Sequence, residues 1–149
     1  MSNNITRSND NTNEHLPEYL QMIQEPICRM STASAIFKGF AATIVSGIAA
    51  LSYPDINNWI LVLSFVPVLA FCVLDVYYLR IEKKYRYLYN QVRTNAHRVD
   101  FSMDISNIDY KDAGATIMEC IKSPSVYLFY PAMILILIGV LIGKFKGAI

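Results

Sequence analysis

The sequence predicts an all-α membrane protein. It has three transmembrane helices, the second extended into a cytoplasmic helix, and a short extended arm, and it assembles as a homo-oligomer. Three observations predict this. The 149 residues are 54% hydrophobic and only 17% charged, whereas a soluble domain averages about a quarter charged. The apolar residues gather into blocks of about twenty, the length that crosses a hydrocarbon core of roughly 30 Å. Helical spacing of three and four runs through these blocks and beyond them. A net charge of +1 offers no basic field for nucleic acid. The partners expected are the lipid bilayer, further copies of the chain and a cytoplasmic protein.

Residues 1–14 are rich in Asn and hold one buriable side chain, Ile5. They are expected to form a disordered tail, because burial cannot offset their ordering entropy. From 15 to 30 the apolar positions Leu16, Tyr19, Leu20, Ile23, Ile27 and Met30 keep helical spacing. Pro26 lacks a backbone donor and is expected to end or kink this amphipathic helix. Two settings are open to it: the membrane surface, or the protein's own cytoplasmic part.

Residues 31–79 read as a transmembrane hairpin. The first span, Ala33 to Tyr53, contains Lys38 close to one end, where it can snorkel to the headgroups. Ala35, Gly39, Thr43 and Gly47 recur every four residues, as do Ala42, Ser46 and Ala50. Small residues at this spacing let another helix approach closely. A turn over Pro54–Asn58 leads to the second span, Trp59 to Leu79, in which Pro67 predicts a kink and Asp75 is the one carboxylate.

The helical pattern continues below the second span. Leu74, Tyr78, Ile81, Tyr85, Leu88 and Val92 form an a/d seam, with Arg80, Glu82, Lys83, Lys84, Arg86 and Arg93 on the other faces. This predicts one rod of about 35 residues, roughly 50 Å long. Its seam packs either on a symmetry mate or on the chain's own N-terminal helix.

The cytoplasmic segment 80–123 goes on with Val99–Ser106, whose strict alternation of apolar and polar residues signals a half-buried strand or extended arm. Asp100, Asp104, Asp109 and Asp112 match no calcium-loop spacing and read as a solvated acidic face. Asp109 to Lys122 reads as a short helix, ended at Ser123-Pro124. Residues 124–149 contain the third span, Ser125 to Gly143, with Gly139 and Gly143 in a GxxxG pattern and a kink expected at Pro131. Lys and Arg crowd the segment after the second span, so the positive-inside rule places residues 80–123 and the N-terminus in the cytoplasm.

Chemistry-bearing constellations are absent. The three cysteines show no CxxC spacing, and no catalytic triad, HExxH or phosphate-binding loop occurs. The sequence therefore offers no catalytic, cofactor-binding or metal-ligating residues, and the chain reads as a non-enzyme. Its candidate residues are structural. Gly39, Thr43, Gly47, Gly139, Gly143 and the seam residues Leu74, Tyr78, Ile81, Tyr85 and Leu88 are candidates for helix packing and assembly. Asp75, Glu82, Arg86 and Arg93 share one helix face and form a candidate polar network with Lys38. A buried acid needs a cation. Arg86 is too far along the same helix to reach Asp75, so its partner is either a cation of another helix, such as Lys38 or an Arg of a neighbouring subunit, or interfacial water.

The run from Leu74 to Tyr89 has the form LDxYYLxxExxYRxLY. It resembles a motif of small bacterial membrane proteins, the SLATT-type two-helix modules and the RipA-like octameric membrane proteins, over roughly residues 30–105. The carried-over positions are Asp75, Tyr78, Glu82, Arg86 and Tyr89, none catalytic. The resemblance implies an oligomeric bacterial inner-membrane protein and, for SLATT-type members, a pore-forming effector of anti-phage defence. The chain departs from that pattern in its third span. The function expected is a pore-forming or membrane-perturbing effector. The alternative is a non-conducting membrane scaffold whose cytoplasmic segment recruits a partner protein.

Overall fold

Apolar side chains at helical spacing along residues 16–51 form a single helix, α1 (Leu16–Leu51), in a computed structural model that describes residues 15–51, 58–94 and 99–146. The expected N-terminal tail and most of the turn between the first two spans lie outside the described residues. The chain continues as α2 (Asn58–Leu63), α3 (Phe65–Arg93), α4 (Ile117–Ile121), α5 (Pro124–Tyr127) and α6 (Phe129–Phe145). No strand occurs among the described residues. Three helical stretches are long and apolar enough to cross a membrane: Leu16–Leu51, Trp59–Arg93 and Pro124–Lys144. They mark the chain as a multi-pass membrane protein.

Proline chemistry explains where two of these stretches are interrupted. A proline cannot donate to the carbonyl four residues back. Pro67 leaves Leu63 without its donor, and the break falls at Ser64. Pro131 does the same to Tyr127, and the break falls at Leu128. Ser64 is buried, and its hydroxyl is satisfied by donating to Leu61 O at 2.5 Å. Of the two outcomes expected at Pro26, an end does not occur: α1 continues through it as one helix. Pro26 shares a face with Met22, which is exposed, so the carbonyl it deprives lies on a side open to solvent. Packing against α3 then carries the helix past the defect.

α1 and α3 form a long antiparallel hairpin, with α6 laid against both. One core cluster sits among the apolar halves: Ala41, Val45, Val68, Val126, Tyr130 and Leu137. A second sits at the charged end: Tyr19, Ile23, Leu88 and Val92. Each residue of the second cluster is withdrawn from water, worth roughly 1.5–3 kcal/mol for a large apolar side chain. The first cluster has no such drive, because lipid is as apolar as the core. The α3 seam thus meets the chain's own N-terminal helix. Leu88 is buried there, and Tyr85 packs at the edge of the same cluster. Leu74, at the other end of the seam, is 40% exposed.

Residues 99–116 correct two expectations. The alternating stretch 99–106 is not a strand. Its polar residues fold it locally: Asp100 Oδ1 accepts from Ser102 N at 2.9 Å, and Asp104 Oδ1 from Ser106 N at 2.8 Å. Such side-chain turns compete with ladder bonds. Val99, Met103 and Ile105 still pack into the second cluster. The helix expected over 109–122 survives only as α4. Turns over 109–114 end at Gly114, whose φ of +59° is left-handed, and Thr116 then starts α4 with a capping box to Glu119.

This connector is locked to α1 by Tyr19, three turns and more below the first span. The Tyr19 hydroxyl donates to Ser102 O at 2.5 Å and lies 3.3 Å from Asp100 Oδ1. Burial, with the Asp100 carboxylate beside it, pushes the phenol up to about 12. The folded value exceeds the ordinary value of about 10, so this contribution is whole below pH ~10 and is lost as pH rises beyond it. A spectrophotometric titration of wild type minus Tyr19→Phe is expected to isolate one phenol titrating near 12. Tyr19→Phe is also expected to speed proteolytic cleavage within 99–116 at neutral pH.

Candidate functional site

The first span begins at Ala33, so Lys38 lies about 8 Å along it at 1.5 Å per residue. Asp75 lies about 6 Å before the end of the second span, counted the same way. Antiparallel packing of α1 on α3 brings the two to one level. Lys38 Nζ stands 2.6 Å from Asp75 Oδ2. The carboxylate is 1% exposed and the lysine 17%. Lys38 Nζ also donates to Ser34 Oγ at 2.6 Å, one turn back on α1. Neither carboxylate oxygen receives a well-directed hydrogen bond among the described residues, so the pair is held by charge. From α6, Tyr130 reaches the same place: its hydroxyl donates to Phe71 O at 3.2 Å and is within electrostatic reach of Asp75. All three spanning stretches meet at this ion pair.

The second charged pair is separate. Arg86 Nε and Nη2 lie 2.8 and 2.7 Å from Glu82 Oε1, one turn along α3. Glu82 is buried and Arg86 is largely exposed. Arg93 is exposed at the end of α3 and joins neither pair. The five residues expected to form one network therefore divide into two pairs and a separate cation. Seven residues of helix, about 10 Å, separate Asp75 from Glu82.

The packing candidates divide by face. Gly39, Thr43 and Gly47 are exposed on α1, and Gly139 is exposed on α6. A Cβ built at Gly39, Gly47 or Gly139 meets nothing within 4 Å. Gly143 is half-buried, as are Tyr78 and Ile81. The small residues thus do not serve the hairpin itself. α1 meets its neighbours within the chain through Ala41 and Val45, one face over.

Sequence reasoning missed the cations of the 80s as structural groups. Lys84 is 5% exposed; its Nζ donates to Ile105 O at 3.2 Å and sits 3.8 Å above the Tyr110 ring. The Arg80 guanidinium lies 4.2 Å from the same ring, and its Nε donates to Ala115 O at 3.1 Å. Lys83 Nζ donates to Gly114 O at 2.8 Å. Three neighbouring cations on α3 thus hold the connector by its carbonyls. Tyr110 and the left-handed Gly114 were the available signals, but their partners are about thirty residues away in sequence, beyond any local pattern.

Removing one member of a buried pair leaves an uncompensated charge, which costs about 3–5 kcal/mol. Lys38→Met and Asp75→Leu are each expected to lower the melting temperature in detergent markedly. The double variant is expected to melt closer to wild type than either single variant. Melts followed by circular dichroism check this. No family model, curated protein or solved structure matches this chain.

Proposed function

We propose that this chain is a homo-oligomeric inner-membrane protein of bacteria that permeabilises or perturbs the bilayer, with α1 nearest the assembly axis. The observation that carries the reading is a difference between outer faces. Thr32, Ala35, Gly39, Thr43, Ser46, Gly47 and Ala50 line α1 outside its intrachain core, all of them exposed, with the bulkier Ile36 and Phe40 exposed among and beside them. Most exposed residues along the apolar parts of α3 and α6 are bulky, among them Val66, Leu69, Val73, Leu135, Ile136 and Ile142, with Ala70, Ala132 and Gly139 the small ones. Branched aliphatics suit lipid. Small and hydroxyl-bearing residues suit close helix contact or a wetted lining. The hydroxyl of Thr43 donates back to Gly39 O at 2.8 Å, which leaves its oxygen able to accept from water or a neighbour.

The cytoplasmic placement of the N-terminus and of residues 80–123 follows from the Lys and Arg excess after the second span. The likeness of the Leu74–Tyr89 run to SLATT-type modules extends the reading to an effector of anti-phage defence. No catalytic role is assigned to any residue.

A second reading rests on α4. Ile117, Met118 and Ile121 are exposed on the cytoplasmic segment, a surface for recruiting a protein partner to a non-conducting scaffold.

Liposome flux separates the two readings. Purified protein reconstituted in anionic liposomes is expected to release a small dye or ions. Gly39→Leu is expected to reduce both flux and the particle mass seen by light scattering in detergent, with helicity unchanged, since Gly39 is exposed and a Cβ there meets nothing within 4 Å in the protomer. Absence of leakage at any voltage or lipid composition, with an intact oligomer, would favour the scaffold.

A further inference from the structure

The short helix α4 has an inner and an outer side. Cys120 is fully buried and lies within electrostatic reach of Lys83 and Arg80. Ile117, Met118 and Ile121 are exposed on the other side. Glu119, the one acid of the helix, is drawn back to the start of α4, where its carboxylate accepts from the Thr116 backbone and hydroxyl. What faces outward is therefore apolar, and such a patch is unfavourable in water.

The height of α4 is fixed by α3. Arg80 Nε donates to Ala115 O at 3.1 Å, and Lys83 Nζ donates to Gly114 O at 2.8 Å and to Glu119 O at 3.5 Å. Arg80 and Lys83 follow Leu79, the last residue of the second span, by one and four positions, about 1.5 and 6 Å of helix. The headgroup layer is roughly 5–7 Å thick on each side of the hydrocarbon core. α4 is thus held at headgroup depth and not in bulk water. Two further features mark the same level. The third spanning stretch starts at Pro124, three residues after α4, so the chain has little length in which to leave the interface. Tyr77, two residues before Leu79, and Tyr127, three residues after Pro124, are both exposed, and aromatic rings of this kind gather at headgroup level. Leu128 carries the exposed apolar surface on into the third stretch.

We propose that the outer face of α4 is a membrane-surface anchor. Ile117, Met118 and Ile121 insert into the headgroup–acyl boundary of the bilayer that the three stretches cross, and the exposed Lys122 snorkels toward the phosphates. The occupant is lipid because α3 holds the face at headgroup depth and the third stretch continues it into the hydrocarbon. The bilayer then covers the surface that a recruited protein would need. The connector is pinned from two sides, by cations of α3 within and by lipid without. The inference rests on the multi-pass membrane character alone, and neither on self-assembly nor on a pore.

Depth-dependent fluorescence quenching of the full chain in phosphatidylcholine liposomes tests it. Trp59→Phe removes the one tryptophan, and Met118→Trp or Ile121→Trp then places a reporter at an exposed position of α4. Each reporter is expected to emit at shorter wavelength than tryptophan in water. Each is expected to lose more emission to bromines near the headgroup end of the acyl chains than to bromines near their tips. Leu135→Trp, about 16 Å into the third stretch, is expected to show the opposite preference, and Asn90→Trp, about 16 Å beyond Leu79, no quenching by either lipid. Reporters on α4 that emit as in water and are untouched by bromine would overturn the proposal and leave the face to a protein partner. Short-wavelength emission without bromine quenching would overturn it in favour of burial against a second copy. Absence of quenching at Leu135→Trp as well would remove the membrane reading itself, so the two failures are distinct.

Discussion

The pairing of Lys38 with Asp75 sets the register of a hairpin that is otherwise weakly indexed in lipid. α1 and α3 lie side by side through two solvents. In water, Tyr19, Ile23, Leu88 and Val92 are driven together by exclusion from solvent. In hydrocarbon, Ala41, Val45 and Val68 are no better off against each other than against acyl chains, apart from close packing. A one-residue slip of α1 would cost the membrane half little. It would also pull the ammonium away from a carboxylate that is 1% exposed, and that is expensive. Tyr130 brings the third stretch to the same point. The pair thus indexes all three helices where apolar packing alone discriminates least.

The charged end is organised by a different device. Arg80, Lys83 and Lys84 reach across to the connector's carbonyls and to the Tyr110 ring, while Tyr19 ties it to α1. The connector has no backbone ladder of its own. Its backbone groups are bonded instead by short side-chain turns, by backbone turns over 105–115 and by cations of α3. Lys84 is buried because its ammonium is held by Ile105 O and the Tyr110 ring.

The outer surface divides by chemistry in a way that the inner packing does not require. Small and hydroxyl-bearing residues predominate on the outer side of α1, and bulky apolar residues predominate on that of α3 and α6. Assembly through α1 and lipid contact through α6 are consistent uses of those two surfaces.

Composition and proline placement were legible directly. Apolar runs of sufficient length determine which segments enter lipid, and Pro67 and Pro131 determine breaks at Ser64 and Leu128 through a missing donor four residues along. Ser123-Pro124 as a helix start was equally local. Lys38 was legible as a candidate partner for Asp75, because it is the one cation within the expected spans. The outcome at Pro26 was not legible, since a neighbouring helix overrides a local defect by packing along its whole length. The alternation over 99–106 misled for the same reason in reverse: a strand needs a partner strand, and none is supplied among the described residues. The sequence by itself therefore determined the membrane class, the helical segments and their interruptions, all properties set within a few residues. Only the tertiary structure decided which cation meets which acid, which face of α3 is covered, and how the connector is held, because those depend on contacts between residues distant along the chain.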